Sequence, residues 1–133
     1  MLSLIRRSLV VAVIGSLFLG GAAFGAVVFT ASTGLTIQVN PASIHKGQLV
    51  SIHGTLHSSK TFCRVSSKVL LKRGSTTVGS STTDSQGRYF FSKHPSHTVT
   101  YHTVFNGKVD AVHPNHRVCT SSTSANRTVT VST

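Results

Sequence analysis

The run His113-Pro-Asn-His-Arg-Val-Cys119 sets three metal-ligating side chains at His-x2-His-x2-Cys spacing. Neutral imidazole and thiolate are ligands of zinc and copper, and Cys63 or another histidine would complete a tetrahedral set around His113, His116 and Cys119. Histidine is abundant, with eight residues, and His94-Pro-Ser-His97 forms a second close pair. Two arguments weigh against a metal centre. Export to an oxidising compartment would consume both thiolates, and the strand histidines His53 and His57 lie about 13 Å apart at the rise of a strand, too far for one ion. Acid–base catalysis is poorly provided for. Asp84 and Asp110 are the only carboxylates, so no carboxylate pair is at hand. There is no Gly-x-Ser-x-Gly elbow and no phosphate-cradling glycine loop. A Cys–His nucleophile would need a free thiol. The expectation is a protein that is not an enzyme and carries no cofactor.

Charge is the more pronounced feature. Thirteen Lys and Arg stand against two acids, a formal net charge of +11. Such a balance favours anionic partners: wall polymers, anionic lipid headgroups or nucleic acid. Lys60, Arg64, Lys68, Lys72 and Arg73 cluster in sequence, and Lys68 and Lys72 share one face of a strand, so a stripe could follow phosphates or uronates. The alternative is a solvated face. Aromatic interleaving stops at Phe62, so base stacking and a specific nucleic-acid target are not indicated.

The N-terminus bears on the compartment. Arg6 and Arg7 precede a long uncharged apolar stretch, and no further charge occurs before Lys46. This is the layout of an export signal, with small residues at Ala23-Phe24-Gly25 for cleavage before Ala26. Residues 1–25 are therefore read as a signal peptide. Residues 9–31 are also long and apolar enough for an uncleaved transmembrane anchor, with the arginines inside and the remainder facing outward. Either way the domain is expected outside the cell or at its envelope, and Cys63 and Cys119 read first as a disulfide.

The elements that would position these residues are strands. Residues 26–34 read as a linker, and 35–133 as one domain. Leu35–Val39, Gln48–Leu56, Lys68–Lys72, Thr76–Thr83, Arg88–Phe91, Thr98–Phe105 and Thr128–Ser132 show period-two alternation or β-rich composition. Asp84-Ser-Gln-Gly87 reads as a hairpin turn, with the carboxylate accepting backbone N–H groups two or three residues on and Gly87 left-handed. Lys108–Ala125 has no periodicity and holds Pro114, so it reads as a long loop. About seven short antiparallel strands with regular turns predict an all-β sandwich.

With these strands placed, the chain resembles the bacterial immunoglobulin-like modules of secreted and cell-surface proteins. The resemblance rests on Asn40-Pro41-Ala-Ser-Ile44 followed by Gly47-Gln-Leu-Val-Ser-Ile-His-Gly54, then Val69-Leu-Leu71. It continues with Thr83-Asp84 and Gly87-Arg-Tyr-Phe90, and ends with Thr100-Tyr101-His-Thr-Val-Phe105-Asn-Gly107 before a terminal alternating strand. It implies an Ig-like β-sandwich, a disulfide between the loop holding Cys63 and the segment holding Cys119, and a loop-capping role for Tyr101. Such modules are usually repeated or attached to larger proteins, and they share no common activity. The expected function is thus a non-catalytic structural or binding module, its partner an anionic envelope polymer or a surface protein.

Overall fold

The structure is a computed structural model, and it describes residues 28–112 and 115–133. The expected signal peptide, residues 1–25, and most of the alternative anchor lie outside the described residues. Among the described residues, no helix is long and apolar enough to cross a membrane. The described residues are all-β, with one four-residue helix.

In chain order the strands are β1 (Val28–Ala31), β2 (Gly34–Leu35), β3 (Gln38–Asn40), β4 (Ser43–His45) and β5 (Val50–His57). The helix α1 (Thr61–Arg64) follows, then β6 (Lys68–Arg73), β7 (Thr76–Thr82), β8 (Arg88–Lys93) and β9 (Val99–Phe105). The last four are β10 (Lys108–Val112), β11 (Asn115–Cys119), β12 (Ser122–Thr123) and β13 (Arg127–Ser132).

One layer has β5 at its centre, paired with β2 and β3 and with β8. The other runs β4-β13-β9-β6-β7, with β12 added to β9. Alternation explains why they face each other. Val50, Ile52 and Leu56 of β5 are buried while His53 and His57 point outward, as period two requires. Tyr89 and Phe91 of β8 meet Val69 and Leu71 of β6, Tyr101 of β9 and Val129 of β13 in one core. Gly54 interrupts the apolar row of β5 for a steric reason. A Cβ there would collide with the Thr36 carbonyl oxygen and lie 2.5 Å from Tyr89 Oη.

Several expectations are corrected. The stretch expected as a linker, 26–34, contains β1 and the start of β2, and the span proposed as an anchor loses its last four residues to β1. β1 pairs in parallel with β11 and buries Ala31, so it belongs to the domain. The pairing is not wholly antiparallel: β4 and β13 also run parallel. Lys108–Ala125 is not a loop. It supplies β10 and β11, which form a three-stranded sheet with β1, and then β12. Its alternation was hidden because charged residues occupy positions that would otherwise be apolar. Lys108 Nζ donates to the carbonyls of Phe62 (2.8 Å) and Val65 (3.0 Å) at α1. The Arg117 guanidinium sits 4.3 Å from the centre of the Phe62 ring.

Candidate functional site

The molecule has two chemically distinct ends. At one, Cys63 of α1 and Cys119 of β11 are joined by a disulfide, with a Cα–Cα distance of 5.7 Å. It sits in a second apolar cluster with Ala31, Leu56 and Phe105. The bond ties the helix between the two layers to the three-stranded sheet. Hydroxyls and an amine complete the polar bookkeeping of α1, whose exposed carbonyls need donors. Ser67 Oγ donates to Cys63 O at 2.7 Å, Thr83 Oγ1 to Arg64 O at 2.6 Å, and Lys108 reaches the carbonyls on either side. Nothing in the local sequence marked Ser67, Thr83 or Lys108 for this work, because the carbonyls they serve come together only in three dimensions.

The disulfide also removes the thiolate from the metal set. Among the described residues there is no free cysteine and no group of three metal-capable side chains. His113 lies outside the described residues. His116 stands three residues before Cys119 on β11, so the two point to opposite faces of the strand.

Asp84 accepts N–H bonds through Oδ1 from Gln86 (2.8 Å) and Arg88 (2.9 Å), and its Oδ2 accepts from Arg88 Nε at 3.0 Å. The Arg88 and Gln86 amides hold this carboxyl below its ordinary value, and the Arg88 charge adds to the effect. Gly87 has φ +81°, and its N–H donates to Asp84 O at 3.0 Å. The turn is not the hairpin expected from sequence. β7 pairs with β6 and β8 with β5, so Asp84–Gly87 carries the chain from one layer to the other. A cavity of about 450 Å³ beside it is lined by His53, Ser81 and Asp84 among others. Asp84 has both oxygens committed and does not orient the imidazole.

Tyr101 does not cap a loop. It is buried in β9 at 4 % exposure, and no hydrogen bond of the described residues uses its hydroxyl. The tyrosine that bonds is Tyr89, whose hydroxyl donates to Thr36 O and lies 3.1 Å from Thr103 Oγ1. Burial raises the Tyr89 phenol to about 12, against a smaller opposing effect of Thr103.

The five basic residues that cluster in sequence do not form one stripe. Lys60 and Arg64 lie at the disulfide end, Arg64 donating to Ser58 O at 2.8 Å and Lys60 lining a cavity with Phe29, Phe62 and Arg117. Lys68 and Lys72 share the outer face of the β6 sheet, where Lys72 is in register with His102 and donates to Thr77 Oγ1 at 2.6 Å. That face is opposite the His53 row, which lies on the other layer. Arg73 is set apart. It is in register with Tyr101 and lies at the far end of β6. There it borders a cavity of about 320 Å³ lined also by Lys93, His94, His97 and Tyr101. Of these, only Arg73 belonged to the basic set expected from sequence, since Lys93 and the two histidines are distant from it along the chain.

No family model matches this chain, and no curated protein matches it.

Proposed function

We propose that this chain is an exported, non-catalytic Ig-like β-sandwich module with a structural or binding role at the cell envelope or outside the cell. The observation that carries the reading is the Cys63–Cys119 disulfide, which locks a peripheral sheet onto an all-β core. Such bonds persist in oxidising compartments and are rare in reducing ones. The layered core and the basic N-terminal apolar segment agree with it. So does the commitment of Asp84, one of two carboxylates, to a turn. The test is the intact mass of the protein recovered from expressing cells, under denaturing non-reducing conditions. A chain beginning at Ala26 and lighter by two hydrogens than its reduced form is the expected result. A full-length oxidised chain would make it a tethered module. Reduced cysteines would overturn the reading.

A second reading, binding to a polyanion, is favoured by a separate observation. Thirteen Lys and Arg face two aspartates, and one of these, Asp84, is already paired with Arg88.

A further inference from the structure

The end of the molecule opposite the disulfide carries a cleft that this second reading leaves unlocated. Each layer contributes one permanent cation to it: Arg73 ends β6 in one, and Lys93 ends β8 in the other. The segment from His94 to Thr98 then crosses between the layers over the end of the core and brings His94 and His97 to the same cavity.

This crossing is held in place. Gly47 N–H donates to Pro95 O at 3.3 Å, and His94 Nδ1 lies 3.2 Å from Gly47 O. A carbonyl only accepts, so Nδ1 carries the proton and Nε2 is left for another partner. Thr98 Oγ1 accepts the Val131 N–H at 3.0 Å. Lys93 Nζ donates to Val78 O, which uses one of its three donors. Tyr101, nearly buried, lines the cavity with a hydroxyl that no group of the described residues engages. Its oxygen opens onto the cavity, where a bound oxyanion would take the place of water as its acceptor.

Neither aspartate lies at this end. Asp84 is paired with Arg88, at the other end of β8 from Lys93, about 17 Å away at the rise of a strand. Asp110 is on β10, in the three-stranded sheet at the disulfide end. Two fixed charges converge across a concave site with donors around them, which is the arrangement that captures an oxyanion. At about 320 Å³ the cavity takes a group the size of one sugar or one phosphodiester unit.

We propose that Arg73, Lys93, His94, His97 and Tyr101 form a binding site for a phosphate or carboxylate oxyanion carried on a polyol chain, one unit of an anionic envelope polymer. The site deepens the polyanion reading and depends on the envelope assignment only for the source of the polymer. Lys68 and Lys72 are the internal control, since they carry the same charge on the outer face of the β6 sheet and neither lines this cavity.

The test is titration of the full chain, held in a neutral detergent, with short glycerol-phosphate oligomers and, separately, short galacturonate oligomers, at 50 and 200 mM salt. The pair Arg73→Gln and Lys93→Gln is expected to weaken binding about tenfold or more and to reduce the salt slope by roughly 1.5. Lys68→Gln with Lys72→Gln should leave affinity within about twofold. Tyr101→Phe, which removes only the oxygen, should cost about three- to tenfold with no loss of thermal stability. Binding of the first oligomer alone assigns the site to phosphodiester polymers; binding of the second alone assigns it to acidic sugars. Equal weakening by the two lysine and arginine pairs, or no binding of either oligomer by the parent chain, overturns the proposal. These outcomes are independent of the mass measurement, so failure of one reading is separable from failure of the other.

Discussion

Tyr89 shows how much one side chain can be asked to do. Its ring packs edge-on against Phe91, with centroids 5.7 Å apart, and its hydroxyl links the Thr36 carbonyl of one layer to Thr103 of the other. Gly54 leaves the space this needs, so Gly54 and Tyr89 act as a pair. Burial raises the folded phenol from its ordinary value of 10.0 to about 12, and this sets the sign of the pH effect. Between those values the unfolded chain has released the proton while the folded chain retains it, so the folded state binds more protons and stability falls as pH rises. The stabilisation is whole below pH 10 and is lost through about pH 12. Denaturant melts across this range should show the decline, and the phenolate absorbance should appear late. Tyr101 is shifted upward too, chiefly by burial, with the Arg73 charge opposing, so Tyr89→Phe is needed to separate the two. That variant should flatten most of the decline.

At the scale of elements, strands whose partners are close in sequence or whose faces are cleanly split were the legible ones. Val50 and Ile52 against Ser51 and His53, or Tyr101, Thr103 and Phe105 against Thr100 and His102, show their buried face without any knowledge of the partner. β10 and β11 escaped recognition because Lys108 stands where an apolar residue would mark the inner face. β1 escaped because its partner lies almost ninety residues away, Val28 opposite His116, and its apolar composition merged with the segment before it. Lys108 is the element-scale test. Replacing it by Met keeps the stem and removes the donors that serve Phe62 O and Val65 O. Leaving those carbonyls unserved is expected to cost about 1–3 kcal/mol, measurable as a drop in the denaturant midpoint. An unchanged midpoint would mean that water takes the place of the amine.

At the scale of the molecule, the Cys63–Cys119 bond closes a loop of sequence separation 56. Restricting the unfolded chain in this way should stabilise the fold by about 4 kcal/mol on the chain-entropy account, and often less. A double Cys63→Ser, Cys119→Ser variant should therefore unfold at a clearly lower temperature. Hydrogen exchange should localise the loss to β1, β10 and β11, because those strands reach the two-layer core chiefly through the second apolar cluster. The core around Val50, Ile52, Val69 and Val129 should keep its protection. Uniform loss of protection would show instead that the three-stranded sheet and the core unfold as one unit.

The all-β class, most of the strands of the two layers, the turn chemistry at Asp84 and Gly87, and the scarcity of carboxylates were legible along the chain. Each of these is local: alternation, turn preference and composition act over a few residues and are visible without a partner. Which layer each strand joined was settled in three dimensions, so that Asp84–Gly87 proved a crossing between layers and Tyr89 took the bonding role expected of Tyr101. Which charges meet was settled there too. Lys68 and Arg73, five positions apart, end on different faces. Arg73, Lys93, His94 and His97, contributed by both layers and the crossing between them, converge on one cleft. Convergence of this kind is set by strand register and chain crossings, which depend on contacts made far along the chain.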